Sequence, residues 1–336
     1  MTHPPLAPAS AGPSPARPAA HPPRTGPLRR TLRAVAIASC LAYLALKVSW
    51  IAGSRVGIPE GSVLLEKPGV MVVANSVTVL MDGAVIVLAL LLTQNWGRRV
   101  PAWLLALPMW VAGGLLTPIM TAYPLQLVVK LVTGSPAAPA SSEPFLDEWV
   151  FAVVYTGFIL QGLTLGTLFV LYARERWGHL WQGCVRALPR GANGPVLRTT
   201  AAAGCALAAL SAVPHLMWAF GATAGLGRAR IEQRTADFYL IEGAYALFAC
   251  AAVAGVLMLL LRRGGRLPLK APLALAWVGS GALGCWGGWL LMAGVMPTAE
   301  GTDGPTEWML LTYAVQMTAG FLVLASGASF LRRRAA

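Results

Sequence analysis

Four ionisable side chains interrupt stretches of this sequence that are otherwise apolar: Lys47, Asp82, His215 and Glu242. A charged side chain at the centre of a lipid bilayer costs about 2.5–3.5 kcal/mol on insertion scales, so such residues usually contact a partner or water. Carboxylate, ammonium and imidazole groups can bind ions or exchange protons. These four residues are therefore the first candidates for any chemistry that the protein performs.

Asp82 lies about 13 residues into its apolar stretch, near the middle of a membrane-spanning helix. Asn75, Thr78 and Asp82 follow i, i+3, i+7 spacing and so share one helical face. The carboxyl group is paired, in contact with water, or neutral and hydrogen-bonded. The sequence predicts a single proton or cation site at Asp82, with a neutral acid as the alternative. The second half has no acid at the matching position, where Cys250 or Ala251 falls.

The other three ionisable residues are expected nearer to the outer end of their helices. His215 and Glu242 lie at similar depth on consecutive apolar stretches, so we expect them to meet across antiparallel helices. At the corresponding depth in the first half, Asn75 and Ser76 lie opposite Lys47. Each half is thus predicted to place a basic or imidazole group beside a polar partner just below the outer surface.

A functional and a structural interpretation of this region are both open. The functional hypothesis is a pair of related cavities open to the outside, lined by Lys47, Trp50, His215, Trp218 and Glu242. In the structural alternative, Lys47 extends its ammonium group to the interface and His215 binds a carbonyl freed by Pro214. The tryptophans then form an ordinary interfacial belt.

Eight apolar stretches must position these residues. The chain is 56% hydrophobic and 12% charged, far less charged than a soluble domain. Each stretch reaches the roughly 20 residues that a membrane-spanning helix needs, and none shows the alternation of a barrel strand. The predicted fold class is an all-α integral membrane protein whose spans cover residues 34–53, 70–93, 101–122, 149–173, 199–221, 238–261, 271–296 and 308–331.

The net charge of +13 is explained by topology. Basic residues cluster between alternate spans, which predicts that these segments and both termini are cytoplasmic. We therefore expect the lipid bilayer and anionic lipid head groups at the cytoplasmic face as partners, and no nucleic acid. The preference for Arg over Lys and the abundance of Ala are typical of GC-rich bacteria and predict a bacterial plasma membrane. The basic clusters lie at residues 17–33, 98–99, 174–198, 262–270 and 332–334.

The two halves of the chain echo each other. Lys47 to Gly57 matches His215 to Gly225 with Trp, Gly and Gly at identical spacing: Trp50 with Trp218, Gly53 with Gly221. Residues 110–114 and 277–281 repeat a Trp-Val-x-x-Gly pattern, and two spans begin with Glu-Trp. The echoes predict a parallel tandem repeat with an interface between halves. The predicted organisation is a Pro-rich disordered cytoplasmic tail (1–33), a four-helix repeat (34–173), a basic linker with an interfacial helix (174–198) and a second repeat (199–334).

The paired stretches resemble a pattern near the end of the first helix in small four-helix membrane proteins of actinobacteria. In that family a basic residue or His precedes an aromatic residue and Trp-x-x-Gly-Gly, followed by a later Gly. The second glycine is replaced here by Ser54 in one copy and Ala222 in the other. The resemblance implies a duplicated four-helix fold. It implies no activity, because that family has no known function.

Other motifs are uninformative about chemistry. The cysteines lack disulfide spacing, and no metal-spaced cluster, nucleotide-binding loop or catalytic elbow is present in the sequence, so no cofactor is predicted. Residues 123–130 suggest an outer interfacial segment, and the glycines of the seventh span suggest close helix packing. We expect a transporter with a site at the inter-repeat interface, or alternatively a non-enzymatic membrane scaffold or accessory subunit. An intramembrane enzyme is the weakest hypothesis.

Overall fold

A computed structural model describes residues 26–66, 68–133, 146–188, 194–232, 234–296 and 304–335. The structure is 84% helical, and the described part of the chain contains no strand. Eight of its helices are long and apolar enough to cross a membrane, as predicted. They are α1 (Pro27–Ile51), α2 (Pro68–Thr93), α3 (Ala102–Thr133), α4 (Glu148–Trp177), α5 (Pro195–Ala219), α6 (Ala236–Leu260), α7 (Lys270–Val295) and α8 (Glu307–Ala335).

Three details of the predicted organisation were wrong. Helix α1 begins at Pro27, so residues 27–33 belong to a helix and not to the predicted tail; residues 1–25 lie outside the described part of the chain. Helix α3 continues through residues 123–130, which we had expected to form a separate interfacial segment. The linker after α4 contains short 3-10 turns, Gly178–Trp181 and Val185–Ala187, where an interfacial helix was expected.

The sequence at the helix starts explains the first of these differences. Both α1 and α5 begin with Gly-Pro, with Gly26 or Gly194 as the N-cap and proline at the first helical position. Proline is favoured there because its missing N–H would have no helical partner anyway. The charged Arg29 and Arg30 then lie in the first turns of α1, where a hydropathy criterion does not detect a helix.

We call α1–α4 the first bundle and α5–α8 the second bundle, and within each of them the helices that follow one another along the chain are in contact. In the first bundle α1 packs against α2 and α4, and α3 contacts α4 and, more sparsely, α2. In the second, α5 packs against α6 and α8, and α7 packs against α6 and α8. The contact between bundles is made mainly by α3 with α7, supplemented by α3 with α6.

Small residues bring α3 and α7 together. A Cβ atom on Gly114 would lie 2.3 Å from the carbonyl oxygen of Gly281, so the two backbones touch at this point. Beside it, Trp110 donates a buried 3.0 Å hydrogen bond from Nε1 to Oγ of Ser280. The glycines of α7 therefore have the packing role that was predicted, since small residues let membrane helices approach closely.

Two tryptophans of this interface reach into the opposite bundle. The ring of Trp110 on α3 lies 5.3 Å from that of Phe321 on α8. In the reciprocal contact, Trp277 on α7 stacks 5.4 Å from Phe169 on α4. The interface is thus filled by aromatic rings and glycine backbone, with hydrogen bonds from Trp110 to Ser280 and, at 3.0 Å, from Nε1 of Trp286 on α7 to the carbonyl oxygen of Leu115 on α3.

One end of the protein, which we call the basic end, holds both ends of the described chain. There Glu175 at the end of α4 binds both Arg29 of α1 and Arg98, which follows α2. Arg334 near the end of α8 donates a hydrogen bond to the carbonyl of Leu180. The opposite end carries the Trp-Gly turns that follow α1 and α5.

Candidate functional site

The core of the second bundle contains a chain of three polar side chains. Nδ1 of His215 on α5 lies 2.5 Å from Oε2 of Glu242 on α6, and its Nε2 lies 2.9 Å from Oε1 of Gln316 on α8. The contact predicted between His215 and Glu242 is therefore present. Both ring nitrogens have a partner, so this group links three helices. The Nε2 atom of Gln316 is buried without a partner among the described residues.

Aromatic rings enclose the His215 side chain. The ring of Trp218 lies 5.4 Å away in an edge-on arrangement, and that of Tyr245 lies 5.1 Å away. His215 and Trp218 have no exposed surface, and Glu242 is 6% exposed. The cavity open to the outside that we had expected at His215 is not seen in this conformation. Buried polar residues of this kind need partners, and His215 has two.

The core of the first bundle is built around Asp82. Its side chain is 5% exposed, and the amide of Gln161 on α4 lies within hydrogen-bonding reach of the carboxylate. Nε2 of Gln161 also donates to Sγ of Cys40 on α1, at 2.9 Å. The second carboxylate oxygen, Oδ2, is buried and has no hydrogen-bond partner among the described residues. Asp82 is thus incompletely satisfied.

Lys47 on α1 is buried in an aromatic setting. Its Nζ lies 4.6 Å from the ring centroid of Tyr43 and 5.7 Å from that of Trp50, one helical turn to either side. The side chain is 8% exposed, and it forms no ion pair with Asp82 within 4.0 Å. Lys47 therefore does not extend to the surface in this structure. Its ammonium is stabilised by cation–π contacts.

Three residues were predicted to form a polar face on α2. Two of them, Asn75 and Asp82, are buried. Thr78 turns its hydroxyl to its own helix, donating to the carbonyl oxygens of Ala74 and Asn75 at 3.1 and 2.9 Å. Ser76 likewise donates to the carbonyl of its own helix, so it is not held by Lys47.

The two cores use the same helices for the same side-chain types. A base comes from the first helix of each bundle, an acid from the second and a glutamine from the fourth. The acid of the second core is Glu242, whereas the position that matches Asp82 at the offset between the halves holds Cys250, as the sequence predicts. At the sequence offset that aligns Lys47 with His215, Asp82 lies eight residues, about two turns, deeper than Glu242. Because Asp82 lies deeper along its helix, it does not pair with Lys47, whereas Glu242 lies at the depth of His215 and contacts it.

The Trp-Gly pattern forms matching turns at the end opposite the basic end. Nε1 of Trp50 donates to the carbonyl of Val56 at 2.8 Å, and that of Trp218 donates to the carbonyl of Ala224 at 2.9 Å. The glycine three residues after each tryptophan, Gly53 or Gly221, has φ near +91°, a left-handed conformation that favours glycine. The pattern is thus explained by architecture, since it ends a helix.

The residues that sequence reasoning missed are the two glutamines and the tyrosine beside Lys47. Gln161 is 1% exposed and Gln316 is fully buried. An amide in the middle of an apolar run was the available signal, because an unpaired amide in hydrocarbon is costly. Tyr43 was detectable only by its spacing of four residues from Lys47.

These groups can hold a proton or a cation. Among the residues that the structure describes, no cluster of three or more His, Cys, Asp or Glu side chains could hold a metal ion. No protein-family model, curated protein or solved structure matches this chain.

Proposed function

We propose that the protein is a membrane transporter. It couples the movement of a substrate across the bilayer to a proton or cation that is bound at Asp82. One observation carries the proposal: Asp82 is 5% exposed, lies in the middle of a membrane helix, and leaves Oδ2 unpaired among the described residues. A buried acceptor without a partner costs about 1–3 kcal/mol, and more when it is charged. A cation at Oδ2 supplies the missing partner, and a proton there removes the buried charge.

The comparison between the bundles supports the first core as the coupling site. In the second core, His215 bridges Glu242 and Gln316, so base and acid are already paired. In the first core, Lys47 and Asp82 are both buried and remain apart. Ionisable residues inside a membrane usually mark the path of an ion or proton, and an unpaired acid is available for one.

The proposed site lies in the interior of a bundle and not at the inter-repeat interface, where the sequence predicted it. The interface is occupied by Trp110, Trp277 and the contact of Gly114 with Gly281. The indole N–H groups of Trp110 and Trp286, which lie at this interface, are both hydrogen-bonded. The buried ionisable residues Lys47, Asp82, His215 and Glu242 lie inside the two bundles instead.

We also infer that the two bundles arose by tandem duplication and that the basic end is cytoplasmic. Duplication is supported by the equal helix connectivity and by the matching turns at Trp50 and Trp218. Orientation is supported by the arginines at the basic end, because basic residues near helix ends resist translocation. Both termini are then cytoplasmic, in a plasma membrane whose anionic head groups contact this end.

The test is an ion-flux measurement on the full chain reconstituted into proteoliposomes that contain a pH-sensitive dye. Gradients of sodium, potassium or butanediammonium are imposed separately, with the membrane potential clamped. We expect one of them to change the internal pH faster than in protein-free vesicles. Asp82→Asn should return the rate to the protein-free level.

Asp237→Asn is the matched control. Asp237 is partly exposed at the start of α6, and its contact with Lys130 on α3 is long, at 3.9 Å. The same chemical change there should leave the flux at the wild-type rate. Equal loss of flux in both variants, or equal flux in wild type and Asp82→Asn, contradicts the proposal.

The second candidate function is a scaffold or accessory subunit without transport. The dry interface at Gly114 and Gly281 favours it, since a packed protein interior needs no water-accessible path. It predicts that wild-type vesicles behave like protein-free vesicles under every gradient. The flux measurement therefore separates the two candidates.

A further inference from the structure

We infer that the aromatic and acidic surroundings of Lys47 form a binding site for a small primary ammonium ion, and that the Lys47 ammonium is the group that occupies this site at rest. The inference rests on the proposed transport function and names its substrate class. The juxtaposition that carries it is a buried ammonium between two aromatic rings, in the same core as a buried carboxylate with an unpaired oxygen.

The aromatic part of the site suits a cation. Nζ of Lys47 lies 4.6 Å from the Tyr43 centroid and 5.7 Å from the Trp50 centroid, both within the range of about 6 Å for cation–π attraction. The ring of Trp50 is fixed by its hydrogen bond to the carbonyl of Val56. The ring of Tyr43 packs edge-on against Phe158 of α4, at 5.2 Å. Both aromatic rings, those of Tyr43 and Trp50, are thus held in place by contacts that do not involve Lys47.

The acidic part of the site is incomplete. Asp82 is reached by the Gln161 amide, whose Nε2 also donates to Cys40, while Oδ2 has no partner among the described residues. A primary ammonium carries three N–H donors, and one that is not tethered to α1 can move from the aromatic rings toward Asp82 and donate to Oδ2. The backbone of Lys47 lies about two helical turns nearer than that of Asp82 to the end of the protein that carries the Trp-Gly turns. The Lys47 ammonium forms no ion pair with Asp82 within 4.0 Å.

An incoming ammonium ion therefore competes with the Lys47 side chain for the rings and supplies the partner that Asp82 lacks. Binding requires Lys47 to move away, because two cations in one buried site repel each other. The displaced lysine can extend toward the nearby end of α1, four residues beyond it at Ile51. The second core offers no such site, since His215 is held on both sides.

Lys47→Met is the variant that tests this occupancy. Methionine matches lysine as far as the ε-carbon, so the substitution removes the cation that competes for the aromatic rings and changes little else. The purified full chain in detergent micelles is titrated with methylammonium chloride while its thermal unfolding midpoint is measured. Sodium chloride controls for ionic strength, and methanol is the neutral isostere.

We expect methylammonium to raise the midpoint of Lys47→Met in a saturable way, with half-saturation at a concentration about tenfold or more below that of wild type. The double variant Lys47→Met/Asp82→Asn should respond no more than it does to sodium chloride. Equal responses of the single and double variants overturn the inference, as does equal affinity of wild type and Lys47→Met.

If Lys47→Met does not fold, wild type and Asp82→Asn provide the second comparison. Wild type should be stabilised at high methylammonium concentration, and Asp82→Asn should not be; equal shifts overturn the inference. Micelles carry no gradient, so binding is measured independently of transport. Binding without flux refutes transport and leaves the ammonium site, whereas Asp82-dependent flux without methylammonium binding refutes the site and leaves transport.

Discussion

Adjacent glycines on α3 give a sharp test of the interface between the bundles. A Cβ atom on Gly114 would lie 2.3 Å from the Gly281 carbonyl oxygen and 2.7 Å from Sγ of Cys285, whereas one on Gly113 meets no atom within 4 Å. Both Gly→Ala changes share the same gain in helix propensity, about 0.5–1 kcal/mol. The difference between the two variants therefore isolates the steric cost of separating α3 from α7.

Overpacking of a well-packed interior costs about 1–3 kcal/mol. We expect Gly114→Ala to be less stable than Gly113→Ala by that amount. Both unfolding free energies are measured by titration with sodium dodecyl sulfate in mixed micelles, followed by the fluorescence of the 12 tryptophans, which include Trp110 at the contact. A Gly114→Ala protein as stable as Gly113→Ala would refute the close contact of the two backbones.

Three further predictions concern the buried polar groups and use the same unfolding titration. Glu242→Leu leaves the imidazole of His215 without its buried partner and should cost about 3–5 kcal/mol, whereas Glu242→Gln can still hydrogen-bond and should cost about 1–2 kcal/mol; equal costs contradict a direct bond. Ser280→Ala strands the buried N–H of Trp110 and should cost about 1–3 kcal/mol, and an unchanged stability argues against that bond. Asp82→Asn should leave stability unchanged or raise it, because a neutral amide keeps the contact with the glutamine of α4; a large loss would show that Asp82 is a structural residue.

The sequence was sufficient to predict the helices and the contact in the second core. Apolar length identifies a membrane helix, because every backbone polar group must be satisfied inside it. His215 and Glu242 were predictable partners since they lie at equal depth on consecutive helices. The same reasoning correctly separated Lys47 from Asp82 by depth.

The glutamines could not be assigned from sequence. Gln161 and Gln316 reach the cores from the fourth helix of each bundle, and which face a membrane helix turns inward is poorly marked when nearly all of its residues are apolar. The correspondence between Asp82 and Glu242 could not be derived from the sequence either. At the offset between the halves their positions differ by eight residues, about two turns of depth and about 80° of rotation around the helix axis, so a residue-by-residue alignment does not match them.

The measurement closest to the central claim asks whether Asp82 exchanges a proton with water. Infrared difference spectra between acidic and alkaline buffer are recorded on the full chain in hydrated lipid films. Because the chain has 13 Asp and Glu residues, the band of protonated carboxyl groups has several components; we predict one component that persists in Glu242→Gln and disappears in Asp82→Asn. Identical spectra for wild type and Asp82→Asn would contradict the assignment of Asp82 as the coupling residue.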